Sequence, residues 1–356
     1  MNLSDFGYNE KLEQIRIDNN LQGFDFGRVT SEYKERYVVH TEQQGELDAE
    51  VTGNLRFSAQ NREDFPAVGD WVAITVYDSE FCIIHQVFPR LSVISRRAAG
   101  HSAEIQIIAT NIDYAFLVQA IDRDFNINRL ERYLTICNTS RVEPIIVLTK
   151  TDLIQEERLT EIRESIIQRI KQIPIIAISN KTSEGIDTLR AIIEPGKTYC
   201  LLGSSGVGKS TLLNNLSGQM IMQTGEISET TNRGRHVTSH RELIVINSGG
   251  ILIDNPGMRE VGITDSGSGL EITFDIILRI GQNCRYKDCT HTGEAGCAVL
   301  EAVENGMIDQ NSYENYLKME REKAHFESSA ADRRKRDKAF GKLMKNYKKD
   351  IRGNKF

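Results

Sequence analysis

The chain has 356 residues, 39% of them hydrophobic and 26% charged, a composition of folded globular protein rather than of a disordered or fibrous one. No run approaches the roughly 18 apolar residues that a membrane span needs, and the charged start from Met1 to Arg16 lacks the apolar stretch of a signal peptide, so a cytoplasmic protein with no membrane partner is expected. The length suffices for two or three domains with cores of their own, and the net charge of −6 leaves room for a strongly basic segment on an otherwise acidic body.

From about Leu21 to Ile108 the pattern is one of short alternating segments broken by turn residues: Gly27 to Val29, Arg36 to Val39, Val51 to Phe57, Asp70 to Val76 and Cys82 to Val87. This predicts an all-β module, a small barrel. Arg28, Tyr33, Arg36, Tyr37, Arg56 and Phe57 mix cationic and aromatic character, which suits either phosphate contact and base stacking or, residue by residue, a barrel core with a solvated basic face.

From about Ala109 to Gly262 apolar runs at Ala115–Val118, Ile145–Leu148, Ile175–Ile178 and Tyr199–Leu202 alternate with amphipathic stretches. That rhythm predicts a mostly parallel sheet covered by helices, with any ligand beyond the carboxyl ends of the strands. Thr149-Lys150-Thr151-Asp152 follows the second of these runs. An aspartate there accepts from both N1–H and the 2-amino group of guanine, a donor pair that adenine lacks, while Lys150 lies along the base and Thr149 stands where many GTPases carry asparagine. Ser179 and Asn180, after the third run, form a second base loop. After the fourth run comes Gly203-Ser204-Ser205-Gly206-Val207-Gly208-Lys209-Ser210, continued by Thr211 into a helix. Glycines there let backbone N–H groups turn inward on phosphates, Lys209 reaches the terminal phosphates and the Ser210 hydroxyl holds Mg²⁺. Downstream, Leu243–Ile246 and Ile251–Ile253 read as a hairpin that ends in Asp254-Asn255-Pro256-Gly257, a strand-end acid and turn suited to the magnesium shell and the γ-phosphate. The base motif precedes the phosphate loop, the reverse of the usual order, which marks a circularly permuted GTPase. As a consequence the chain after Asp254 runs directly into the C-terminal region.

Of the six cysteines, Cys82, Cys137 and Cys200 sit singly in apolar runs and read as core, whereas Cys284, Cys289 and Cys297 join His291 in a C-x4-C-x-H-x5-C pattern. Three thiolates and an imidazole within fourteen residues fit one tetrahedral, structural Zn²⁺. Ala298–Glu304 and Ser312–Ala324 then read as helices. From Lys318 to Phe356 there are 14 Lys and Arg against 6 Asp and Glu, a local +8 that leaves −14 elsewhere. Within that tail Phe340, Leu343, Met344 and Tyr347 form a helical stripe, open to two readings: a face packed on its own domain, or an arm against RNA.

Taken along the chain, base motif, second base loop, phosphate loop and Asp-x-Pro-Gly resemble the RsgA (YjeQ) family of ribosome small-subunit-dependent GTPases. The likeness extends over nearly the whole chain. It implies that the barrel, with Gly53–Arg56 and Val68–Val72, is an OB-fold that binds RNA, and that the chain divides at 1–108 (OB-fold with N-terminal extension), 109–262 (permuted GTPase), 263–325 (zinc-binding, mostly helical) and 326–356 (basic tail). It further implies GTP hydrolysis stimulated by the small ribosomal subunit during its late maturation. GTP or GDP, Mg²⁺ on Ser210, Thr238 and, through water, Asp254, and one Zn²⁺ are the expected cofactors, and a monomer is expected. His236, in the polar loop Thr230–Ser239, resembles the family's water-orienting histidine, and the choice of Thr238 over Ser239 rests on register, since Val237 departs from the family's His-Thr-Thr. After Asp-x-Pro-Gly stands Met258, whose thioether cannot orient water. The alternative function is an RNA-binding scaffold in which nucleotide is structural only.

Overall fold

A computed structural model of the chain describes residues 2–33, 36–97, 105–122, 125–218, 241–254 and 267–324. An N-terminal turn buries Leu3 and Phe6, and helix α1 (Glu10–Asp18) follows, started by the Asn9 side chain, which accepts from Leu12 N at 3.2 Å. Strands β1 (Asp25–Tyr33), β2 (Arg36–Thr41), β3 (Gly45–Val51), β4 (Trp71–Val76) and β5 (Phe81–Val87) then close a barrel in the order β1-β2-β3-β5-β4, with β4 returning to β1. The β3–β5 pair is parallel and the others antiparallel, the OB-fold arrangement. β3 displays the period of two plainly: Leu47, Ala49 and Val51 point into the core while Glu46, Asp48 and Glu50 are exposed.

Two segments differ from the pattern reading. The strand expected at Val51–Phe57 ends at Val51, and Gly53–Ser58 is helix α2; the Thr52 hydroxyl accepts from Leu55 N at 3.1 Å and so nucleates a helix where the apolar spacing suggested extended chain. β3 itself escaped notice because its three carboxylates mask the alternation. Arg28 and Tyr37 prove to be core, at 1% and 3% exposure, and drop out of the candidate RNA-contact set, whereas Tyr33, Arg36, Arg56 and Phe57 remain at the surface.

A hairpin of β6 (Val93–Arg97) and β7 (Ile105–Thr110) leads out of the barrel, so the expected division between 108 and 109 falls inside β7. The central unit follows as β8 (Tyr114–Ala120), α3 (Ile127–Ser140), β9 (Glu143–Thr149), α4 (Glu156–Arg169), β10 (Ile175–Ala177), α5 (Ile186–Ala191), β11 (Thr198–Leu202), α6 (Lys209–Ser217), β12 (Arg241–Val245) and β13 (Ile251–Asp254). Its sheet runs β10-β9-β8-β11-β13-β12, parallel except for the last pair, the expected hairpin. Both faces are covered: Leu117, Cys200 and Leu202 pack into one cluster, and Phe116, Val118, Tyr199 and Leu201 into the other. The sheet does not stop at its edge. β12 pairs antiparallel with β1, Ser31 opposite Glu242 and Glu32 opposite Arg241, so the barrel continues the central sheet.

The C-terminal unit comprises α7 (Gly267–Thr273), α8 (Asp275–Gly281), α9 (Ala298–Glu304) and the helix α10 over 310–324, packed around Phe274, Ile277, Val299, Tyr316 and Met319. It docks on α3, where a Cβ at Gly269 would lie 2.5 Å from Thr135 O, so only glycine permits the approach. The dock is polar. Glu131, 2% exposed, accepts from Arg169 Nε at 3.1 Å and Nη2 at 2.7 Å, from Ser312 Oγ at 2.8 Å and from Asn315 Nδ2 at 2.6 Å. Among the described residues no helix is long and apolar enough to cross a membrane.

Candidate functional site

The phosphate loop connects β11 to α6, and its backbone could be built from few other residues. Gly206 and Gly208 have φ of +82° and +93°, and a Cβ at Gly203 would meet Val118 O at 2.4 Å. The loop delivers the chain into the first turn of α6 with Gly208 as its cap, where the N–H groups of the helix start gather; Ser204 and Ser205 are half-buried and Gly206 is exposed. Lys209 is buried, and its Nζ donates to Gly203 O at 2.8 Å and Ser204 O at 2.7 Å. Ser210 and Thr211, next along the helix, are half-buried.

The loop after β9 lies against this one. Thr149, fully buried, donates from Oγ1 to Val207 O at 2.7 Å, which gives its hydroxyl a use that joins the two motifs across 58 positions of sequence. Lys150 adopts a left-handed conformation at φ +65° and its Nζ reaches Asp122 Oδ2 at 2.7 Å, just beyond β8. Thr151 follows in the same turn, with its hydroxyl buried, and Asp152 is exposed. The loop after β10 completes the group: Ser179 Oγ donates to Asp152 Oδ1 at 2.7 Å and accepts from Lys181 N and Thr182 N, which fixes the rotation of the carboxylate, and Asn180 Nδ2 donates to Gly208 O at 3.1 Å. The three motifs that the sequence singles out around Asp152, Asn180 and Lys209 therefore form one hydrogen-bonded surface at the carboxyl ends of β9, β10 and β11. His236, Thr238 and Gly257 lie outside the described residues, as do the side chain of Asp254 and the basic segment 326–356.

Three participants were missed by motif reading. Asp122 holds Lys150; its only sequence signal is an acid at the end of an apolar run. Tyr133 on α3 is buried and shares a side-chain hydrogen bond with Ser204; burial pushes its phenol up, and the serine partly offsets this. Asn215 on α6 donates to Asn180.

In the C-terminal unit Cys284, Cys289, His291 and Cys297 present ligand atoms that all lie within 4.8 Å of one another. Cys284 Sγ and Cys297 Sγ are 3.9 Å apart, and each is 3.5 Å from His291 Nδ1. Thiolates around a tetrahedral zinc stand roughly 3.8 Å apart, given Zn–S bonds of about 2.3 Å. The donor set fits such a site, and four protein ligands leave no position for substrate. The intervening loop is shaped by Glu294, whose carboxylate accepts from the backbone of Thr290, Thr292 and Gly293; hydrogen bonds from Thr290 hold its pKa well below the usual carboxylate range. His291 sits at φ +61°, anchored by Tyr313 Oη donating to its carbonyl at 2.5 Å.

Residues 87–264 match the family model described as RsgA GTPase. A relative from Bacteroides thetaiotaomicron, Small ribosomal subunit biogenesis GTPase RsgA 1, is 37% identical over 349 residues, covering 98% of this chain and 97% of its own. The chain belongs to the RsgA GTPase family. Its fold agrees: the crystal structure of YjeQ from Thermotoga maritima superposes with a TM-score of 0.63 at 27% identity, covering 84% of this chain and 98% of that one. A second, YloQ, described as a circularly permuted GTPase, gives 0.58 at 24% identity over 85% of this chain and 96% of its own and supports the fold alone. A permuted GTPase unit flanked by an OB-fold barrel and a helical unit with a zinc-compatible cluster is thus the architecture of this family member, and GTP hydrolysis is its reaction class.

Proposed function

We propose that this GTPase binds the small ribosomal subunit and acts in its late maturation, with hydrolysis stimulated by the subunit. The observation that supports the reading is the contact of the loops after β9 and β10 with the loop between β11 and α6: Thr149 bonds to Val207 and Asn180 to Gly208, as a nucleotide held at base and phosphates would require. The partner comes from relatives named for small ribosomal subunit biogenesis.

In this reading Asp152 accepts the two donors of the guanine edge, with Ser179 orienting it, while Thr149, Lys150, Thr151 and Asn180 shape the base slot. Gly203 to Thr211 cradle the phosphates, and Lys209 exchanges its two loop carbonyls for phosphate oxygens. The hydroxyls of Ser210 and Thr238 and, through water, Asp254 would hold Mg²⁺, which would supply neutralisation of phosphate charge, and Gly257 would lie at the γ-phosphate. His236 orients the attacking water. Because Met258 stands where a glutamine would serve, hydrolysis by the chain alone is slow, and the subunit completes the site. Tyr33, Arg36, Arg56 and Phe57 of the barrel and the basic segment 326–356 contact rRNA, and Zn²⁺ on the four C-terminal ligands holds 267–324 in shape.

The test is GTP turnover with purified small subunits, with large subunits and with neither. Small subunits are expected to raise the rate at least tenfold and large subunits to leave it unchanged. Equal single-turnover rates in all three overturn the control scheme. In the same assay Lys209→Ala abolishes stimulated turnover; undisturbed release from subunits in that variant would favour the scaffold function.

A further inference from the structure

The motifs leave Asn215 without a role, yet its side chain meets the loop after β10. From the inner part of α6 its Nδ2 donates to Asn180 O at 3.3 Å and Asn180 Oδ1 at 3.2 Å. Asn180 passes the contact on, since its own Nδ2 donates to Gly208 O. The order of donors is fixed along this relay: the carbonyl of Gly208 can only accept, so Asn180 must turn its NH₂ to the loop and its oxygen to Asn215. The approach is close enough that a Cβ at Gly208 would come within 2.7 Å of Asn180 Nδ2. Meanwhile Thr149 holds the preceding carbonyl, Val207 O, from the other base loop. Two successive carbonyls of the phosphate loop are thereby pinned, one by each base loop, and the residue before Asn180 is the one that orients Asp152.

A nucleotide has a nearly fixed span between its base edge and its phosphates. A site gains the full benefit of binding both ends only if the two loops are already set at that span; otherwise part of the binding free energy is spent in ordering them. We propose that Asn215 is a positioning residue for guanine nucleotide: through Asn180 it ties the base-reading loop to the phosphate loop and touches neither base nor phosphate. The proposal rests on the guanine-nucleotide reading above. Asn215 is half-buried on a helix whose core face is carried by Leu212, Leu213 and Leu216, so its amide is dispensable for packing.

The experiment titrates the full chain and its Asn215→Ala variant with GDP and with IDP, which lacks the 2-amino group that Asp152 reads. A lost neutral hydrogen bond translates into about three- to tenfold weaker GDP binding. The preference for GDP over IDP is expected to shrink by about threefold, because Asp152 loses its fixed placement, and the melting temperature stays within a few degrees. In an Asn180→Ala background the Asn215 substitution has a smaller effect than in the parent, since the contact to Gly208 is already cut and only the backbone carbonyl of residue 180 remains to accept. GDP and IDP affinities within twofold of the parent, or effects of the two substitutions that multiply, overturn the proposal. Asn215→Leu, near-isosteric and without a donor, repeats the measurement should the alanine variant fold poorly. If the parent chain itself fails to prefer GDP over IDP, the guanine reading fails instead.

Discussion

Asp152 and Gly208 carry their consequences within single side chains. The carboxylate of Asp152 is all acceptor, which suits a guanine edge that is all donor at N1 and N2. An amide in its place accepts from N1–H through Oδ1 and offers Nδ2–H, which matches the carbonyl at position 2 of xanthine. Asp152→Asn is therefore expected to invert the preference, with GDP weakened at least tenfold and XDP favoured, the scale of one charge-assisted hydrogen bond. Competition binding of GDP against XDP checks it, and an unchanged order of affinities would remove Asp152 from the base site. Gly208 answers two demands at once, a left-handed backbone and a contact with Asn180 that excludes a Cβ. Motif reading found the glycine from the phosphate pattern; nothing in the pattern records the second demand.

Strand β1 joins the barrel to the segments on either side of it, and one arginine on it explains how. Arg28 is fully buried and donates to Gly69 O at 3.1 Å, to Asn111 O at 3.1 Å and to Phe6 O, joining the barrel, the exit hairpin and the N-terminal turn. Burial brings its pKa down to about 10, so it remains charged at neutral pH and fully engaged as a donor. Arg28→Ala is expected to cost about 3 kcal/mol or more, because three buried carbonyls lose a charged partner together, and to lower the melting midpoint by several degrees. A shift within experimental error in thermal unfolding would contradict this. From sequence Arg28 reads as one more cation on a basic face, since an arginine between Gly27 and Val29 looks the same whether the strand's partner at that face is water or another domain. The parallel strands β8, β9 and β11 were legible for the opposite reason: buried on both faces, they are written as continuous apolar runs. α2 was not, because one capping threonine outweighed the spacing of Val51 and Leu55.

Across the whole molecule, two joints of different kind connect the GTPase unit to its neighbours. The barrel is joined through backbone pairing of β1 with β12, the strand that follows residues 219–240, and the C-terminal unit through the Glu131 network on α3. A buried carboxylate with four donors accepts one docking register and penalises others. The zinc-compatible cluster packs in the core built around Phe274, Ile277 and Val299, and Tyr313 of α10, between the dock residues Ser312 and Asn315, donates to the His291 carbonyl. Chelation is accordingly expected to loosen 267–324 while GDP affinity changes by less than about twofold, because the nucleotide-facing loops are held from β8, β9, β10, β11 and α6. Hydrogen exchange across the C-terminal helices and a GDP titration, each with and without chelator, read the two effects separately. Loss of GDP binding in parallel with zinc would instead make the cluster part of the nucleotide site.

The chemistry of this protein was written locally. The candidate phosphate loop, the turn at Thr149–Asp152 and the cluster of thiol and imidazole side chains are each assembled from residues within fourteen positions of one another, so spacing and place at strand ends singled them out, and their order along the chain marked the permutation. Contacts between distant residues were settled by the fold: the burial of Arg28, whose bond to Asn111 spans 83 positions, the carbonyl that Thr149 holds 58 positions away, and the Glu131–Asn315 dock across 184. A side chain's type states what it is able to donate or accept, but only the packing of strands and helices decides which partner lies within three ångströms of it.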